Sequence, residues 1–394
     1  MFADTLEMPY LIGAKTITSM KRITRIAFLS ILVVVFTAAT PETVTVASSE
    51  LTAGMEVGTP ELGSMDKLAF GPEGILFIGD SKKAKVLAVD TRDTEAHEEG
   101  AELNLEDFDG QLAAALGTTP DQVEVKDLAV NPVSKYVYLS VSTLGGQSAL
   151  LRLKGETLEA VTLNEVPFSE IELQDAVAAD AEDGRGRPLR VWSISDLMFH
   201  DGRVLVSGLS NKEFGSTFRS IPFPFQSNQT YASLEVYHAA HGQYETHAPI
   251  KTFTVTRIAE RDYLLASYTC TPLVLFPLDE LKDGEHHKGR TIAELGGGNS
   301  PLDMAWIEKD GKKYFLMSNS NRPVMRIPYE AIATTPNNMT EPVEEFAVSD
   351  GLDYVSVPMV HVLQMDVLDA GQLVYVQRMA DGDLVLRTRS FQWI

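Results

Sequence analysis

The sequence predicts an all-β fold, a six-bladed β-propeller, and three observations predict it. Residues 301–332 read as three short apolar strands, LDMAWIE, KKYFLMSN and PVMRIPY, the first two joined across an Asp-Gly turn. The same strand–turn–strand unit recurs about six times at roughly 50 to 70 residues, the spacing of a radially repeated sheet rather than of a solenoid. The chain of 394 residues is 44% hydrophobic, enough to fill the layers between such sheets.

Taken in order, the chain first shows a leader. Lys21, Arg22 and Arg25 precede an apolar run at 26–39 that ends in small residues. This is the order of a secretory signal, and the run is shorter than the ~20 residues of a membrane span. The polar stretch before Met20 fits no signal n-region, which makes Met20 a candidate start. Residues 1–47 are therefore expected to be leader and signal, with an uncleaved anchor as the competing reading, and 48–394 to be one propeller domain in a secreted or periplasmic protein. The repeats fall at 68–90, 127–142, 196–210, 252–269, 301–332 and 362–378. The last is followed by only one more short strand, so residues 51–57 are expected to supply its missing outer strand and close the ring. Three insertions interrupt the repeats. Residues 105–116 have helical composition with Gly117 just past the end. Residues 169–188 are acidic and punctuated by Gly and Pro, as in a loop or short helix. Residues 213–253 read as a long irregular connection, the kind that often carries function.

Net charge is -22, and the acidic residues are spread along the chain. Such a surface repels phosphate backbones and anionic lipid, which argues against nucleic-acid and membrane-surface partners and for a soluble monomer. A small molecule or a protein at the channel mouth is the expected partner. The chain holds one cysteine, Cys270, so no disulfide can form within it and stability must come from packing.

Strand alternation places the start of each inner strand and the turn between the second and third strands at the same rim of the channel. That rim is expected to collect Asn299, Asn319, Asn321, Arg322, Cys270, Arg219, the segment around His247, His361 and Arg378. Three imidazoles and a carboxylate fall within ten residues at His238, His241, Glu245 and His247, in a chain with eight histidines. The three histidines could hold a divalent metal (Zn, Cu or Ca) with an open position for water, with Glu245 as base and Arg322 gripping substrate. The plainer reading is a loop whose histidines hydrogen-bond backbone or water. Gly242 would let the loop fold back. Asp127, Asp196 and Asp303 occupy equivalent places in three inner strands, either as an oxygen ring for Ca²⁺ or as acceptors for backbone N–H groups of the adjacent blade. Cys270 could be a thiolate nucleophile served by His241 or His247, a sulfur ligand to copper or zinc, or a small buried residue. Arg219, Arg322 and Arg378 could each grip a carboxylate or pair with surface acids. No Walker loop, haem-attachment motif, dinucleotide fingerprint, paired CxxC or G-x-S-x-G elbow occurs.

The stretch LAFGPEGILFIGDSKKAKVLAVD at 68–90 resembles an NHL-type repeat, and LAVNPVSKYVYLSVS at 128–142 resembles the related YVTN-type repeat. The chain is thus similar to the NHL/YVTN/SMP-30-like six-bladed propellers. That resemblance implies the fold and is compatible with binding modules, hydrolases and lyases alike. The expected function is a secreted or periplasmic propeller that binds a small molecule, metal or protein partner at its polar, His-containing rim pocket. The alternative is a metal-dependent hydrolase or lyase of the lactonase-like or amidoglycolate-lyase-like kind, and an accessory subunit of a periplasmic redox enzyme is a third idea.

Overall fold

A computed structural model describes residues 49–97, 99–269 and 272–394; the predicted leader and Cys270 lie outside the described residues. Six mainly antiparallel sheets form a ring, each with its first strand inward. We number the blades by their first inner strands: Lys67–Phe70, Val123–Val130, Asp196–His200, Ile250–Ile258, Pro301–Lys309 and Val362–Val367. These are the six repeats visible in the sequence. Among the described residues no helix is long and apolar enough to cross a membrane.

The second strand of blade 1, Ile75–Asp80, is buried at every position. Side chains alternate along a strand, so Leu76 and Ile78 enter the layer shared with blade 2 while Ile75 and Phe77 enter the layer shared with blade 3. Blade 1 therefore lies between blades 2 and 3. The remaining layers join blade 2 to blade 6, blade 6 to 5, 5 to 4 and 4 to 3. Around the ring the order is 2-1-3-4-5-6, with the first two blades exchanged relative to the chain.

The exchange dictates how the ring closes. After Lys85–Asp90 the chain leaves blade 1 and pairs Asn104–Leu105 with the last strand of blade 6, Leu105 opposite Leu386. It then builds blade 2 and returns as Val166–Glu172, the fourth strand of blade 1. The expectation that residues 51–57 complete the last blade is corrected here: Glu56–Gly58 pairs with Val166–Glu172 on the outer edge of blade 1. The slot on blade 6 is filled by Asn104–Leu105, so no free edge is left there for the N-terminal strand.

The first insertion forms a helix, Phe108–Leu116, capped by Gly117 in the left-handed conformation at φ 67°. Its residues Phe108 and Leu112 pack on blades 2 and 6. The other two insertions are more regular than their composition suggested. Residues 169–172 belong to a strand, and 213–253 contains Ser216–Pro222 and Thr230–His238, the third and fourth strands of blade 3. Prolines and polar residues interrupt those strands' alternation, which hid them.

Candidate functional site

Three places on the ring gather chemistry: the hub, the mouth of the channel, and an outer corner between blades 3 and 4. At the hub, Asp127, Asp196 and Asp303 each stand opposite a serine on the second strand of their blade. The corresponding residue of blade 1 is Lys67, opposite Gly79. Each carboxylate bonds the next blade through Oδ2. Asp127 accepts from the Leu68 N–H at 2.8 Å, Asp196 from Phe253 at 2.9 Å, and Asp303 from Met365 at 2.7 Å. Oδ1 of Asp196 and of Asp303 accepts from the following residue of its own strand. Of the two readings of this aspartate set, the geometry is that of inter-blade acceptors. Asp366 does the same two residues further along its strand, accepting from Val130 at 2.8 Å.

The hub is an imbalance of charge. Lys67 Nζ lies 3.9 Å from Asp127 Oδ1, with side chains only 17% and 10% exposed. Burial works against the Lys67 ammonium, yet Asp127, Asp196, Asp303 and Asp66 outweigh it and hold its pKa above the usual lysine value. Burial pushes Asp127 up to about 6 against the pull of Lys67, and burial raises Asp196 as well. Asp303 is raised well above the ordinary carboxylate value, by burial and then by Asp127. Asp366 is pushed by burial to about 6. The signal for Lys67 was present in the repeat pattern, where the first inner strand reads KL and others read DL or DM.

At the mouth, a cavity of about 960 Å³ opens beside blades 3 and 4. One wall is the 177–192 segment, with Leu189, Val191 and Trp192; Leu209 and Pro249 form others, and Asn211, Lys212 and His247 bring polar atoms. The segment is tied down by Arg190, which donates to the carbonyls of Val177 and Lys82, and by reciprocal Ser193–Ser81 and Ser81–Ile194 hydrogen bonds. Both cations of the lining are already paired, Lys212 with Asp175 at 3.0 Å and Arg187 with Asp183 at 2.6 Å. Lys251, whose pKa is lowered by burial and then by Lys67, sits 5.1 Å over the Trp192 ring. A second cavity, about 520 Å³, is lined by Asp127, Asp196, Asp303 and Asp366 together with Phe70 and Phe199.

The third place is the end of Thr230–His238, the fourth strand of blade 3 and so far out from the hub. The chain turns back at Gly242, φ 63°, and brings His238, His241 and Glu245 together. His238 Nδ1 lies 3.0 Å from Glu245 Oε2, and His241 Nδ1 lies 2.6 Å from Glu245 Oε1. Burial opposes the Glu245 charge, but the bonds from His238 and His241 carry its pKa down to about 2. Behind them, Glu294 on the outer strand of blade 4 is fully buried and accepts from the Ala240 N–H. Its pKa is raised by burial.

His247 is not part of that group among the described residues. It bonds Thr246 Oγ1 at 3.0 Å, packs against Gly215 and lines the mouth cavity, so the expected ligand triad of His238, His241 and His247 is divided between the outer wall and the mouth. The other rim expectations separate in the same way. Arg219 is fully buried inside blade 3, donating to Thr217 Oγ1 and to the Gln174 carbonyl, and burial lowers its pKa to about 10. Its neighbour Phe218 packs towards blade 4, so alternation along the third strand turns Arg219 the other way, towards blade 1, where Gln174 accepts its bond. Asn299 and Asn319 are buried and bond each other at 2.8 Å, while the Asn321 amide donates to the Gly298 carbonyl. These three stitch the entry of blade 5 to its own turn. Arg322 donates to the Ala347 carbonyl, Ser349 and Tyr354, clamping a loop rather than facing the mouth. Arg378 is exposed and donates to the Gly382 carbonyl, and its N–H bonds the carbonyl of His361. Glu294 was not foreseen, although a glutamate ending the apolar run TIAE was a signal.

No family model matches the chain, and no curated protein sequence does. Among solved structures, it is similar to the PQQ-bound form of the aldose sugar dehydrogenase from Streptomyces coelicolor, with 13% identity, 84% of this chain and 96% of that one covered, and a TM-score of 0.33. It is similar also to a putative oxidoreductase (glucose dehydrogenase) from Thermus thermophilus, with 13% identity, 85% and 99% covered, and a TM-score of 0.30. A third is the GH43 endo-arabinanase from Bacillus licheniformis, with 14% identity, 67% and 92% covered, and a TM-score of 0.36. Likeness of this degree assigns no activity.

Proposed function

We propose that this β-propeller is an exported, monomeric binding protein that takes a small, uncharged, amphiphilic molecule into the mouth cavity beside blades 3 and 4. The observation that carries this reading is the cavity itself: about 960 Å³, within the size range of small-molecule sites, with mostly apolar walls and a few convergent polar groups. Val191 is 55% exposed at its edge, an apolar surface offered to solvent by a segment that is otherwise anchored. Lys212 and Arg187 are neutralised by Asp175 and Asp183, so the lining does not call for a charged ligand. Asn211 and His247 supply hydrogen bonds to a hydroxyl or carbonyl. Export is supported by the basic, apolar and small-residue order of residues 21–39.

A panel of neutral sugars, sugar alcohols and aromatic alcohols tests the reading, with Trp fluorescence and thermal shift on the full chain as readouts. At least one compound is expected to bind, and Val191→Glu to weaken it by more than about tenfold, since a charge on the apolar wall must be desolvated. The variant's melting temperature should match the parent's, because exposed substitutions seldom change stability by more than about 0.5 kcal/mol. No response from the whole panel, or equal affinity in Val191→Glu, would count against the mouth as a binding site.

A further inference from the structure

We infer that His238, His241 and Glu245 form a site for a divalent transition metal of the zinc class, with the buried Glu294 carboxylate behind His238, on the outer wall where blades 3 and 4 meet. The donor set is two imidazoles and one carboxylate from a single turn, and one ligand atom from each lies within 4.8 Å of the others. Donors held at ~2.0–2.2 Å in a tetrahedron stand about 3.4 Å apart, so the observed 3.0 and 2.6 Å contacts need only a small opening. His241 can provide it, because its side chain is 46% exposed and has room to rotate. The same exposure leaves the fourth coordination position open to water.

A second observation, independent of the donor set, points to the same occupant. His238 and Glu294 are both fully buried, yet among the described residues His238 Nε2 has no hydrogen-bond partner. Nε2 faces Glu294 Oε2 at 3.9 Å. When Nδ1–H of a neutral His238 donates to Glu245, Nε2 is a bare lone pair aimed at a carboxylate, an unfavourable pairing of two acceptors. A metal on Nδ1 reverses this. The imidazole proton then sits on Nε2 and points at Glu294, the carboxylate–histidine–metal arrangement that orients a ligand ring and raises its basicity.

The backbone is already in place for the site. His241 N–H bonds the His238 carbonyl at 3.0 Å and Gly242 N–H the Ala239 carbonyl at 3.2 Å, while Thr291 Oγ1 donates to the Tyr237 carbonyl at 2.8 Å. Two adjacent blades thus converge on the donors before any ion arrives. All three donors belong to blade 3, and blade 4 reaches the metal only through the His238 ring, whose Nε2 faces Glu294.

Titration of the full chain, stripped with a chelator, with Zn²⁺ alone tests the inference, and Co²⁺ absorption reports the ligand field. One ion per chain is expected, with a raised melting temperature on binding. His241→Ala, which alters an exposed side chain, should abolish binding while leaving the metal-free melting temperature unchanged. Glu294→Gln should weaken binding by about 10–100-fold. His247→Ala should bind as the parent does. No bound Zn²⁺, equal binding in His241→Ala, or an equal loss in His247→Ala overturns the site; unchanged affinity in Glu294→Gln overturns the part assigned to that carboxylate.

Discussion

Lys67→Met is expected to lower the stability of the propeller by about 3–5 kcal/mol at pH 7, the usual cost of removing one partner from a buried charge group. Lys67 stands among Asp127, Asp196 and Asp303, and burial raises the pKa of all three carboxyls. Methionine keeps the length of the chain and removes the ammonium that offsets their charge. The loss should shrink on acidification. A carboxyl with a raised folded-state pKa binds its proton more tightly when folded, so its contribution to stability is complete below the unfolded value near 4 and disappears as pH rises through the folded value. For Asp127 and Asp366 that window runs from about 4 to about 6. Parent stability should accordingly rise from pH 7 to pH 5, and the Lys67→Met deficit should narrow over the same interval as protonated acids cease to need a cation. Glu245 has the opposite sign, its pKa being lowered to about 2, and it stays ionised throughout this range. Urea unfolding at the two pH values measures both effects. An equal deficit at pH 5 and pH 7 would mean that the hub acids are not the groups Lys67 balances.

Phe77→Ala is expected to cost about 3–5 kcal/mol, because the ring is fully buried and a large cavity would remain. Phe77 stacks on Phe199 with centroids 5.5 Å apart and meets Phe223 edge-on at 4.8 Å. Both partners belong to blade 3 or the turn that follows its third strand. A double-mutant cycle between Phe77 and Phe223 should therefore return a coupling of about 0.5–3 kcal/mol. A ring in simple chain order would set blade 1 beside blades 2 and 6, with Phe77 and Phe223 apart. Zero coupling would then refute the exchange of the first two blades.

The candidate sites were legible where chemistry followed the repeat or stayed local in the sequence. Asp127, Asp196 and Asp303 share a register, so their equivalence could be read from KDL, SDL and LDM. Lys67 completes that series but breaks its residue type. The local group of His238, His241 and Glu245 was visible because a turn at Gly242 brings neighbours in sequence together. Its buried partner Glu294 lies far along the chain on another blade, and no spacing rule links the two. Conversely, Asn299, Asn319 and Arg322 looked available for a ligand, since an unmatched polar residue near a turn has no visible partner in the sequence. Buried polar groups find partners wherever the fold brings an acceptor near, and here those acceptors are the chain's own turns and loops.

What the sequence determined by itself was the inner strand pairs and their grouping into six blades. Side-chain alternation and Asp-Gly or Pro-Glu-Gly turns act over a few residues, so they leave a local record. The tertiary structure alone decided the order 2-1-3-4-5-6, the closing of blade 6 by Asn104–Leu105 and the division of the histidines between wall and mouth. Those outcomes depend on which apolar face fits which, between segments distant in the chain. Every blade offers a similar apolar face to its neighbours, so hydrophobic pattern cannot rank them; only close packing of particular side chains, such as Phe77 against Phe199 and Phe223, selects one neighbour over another.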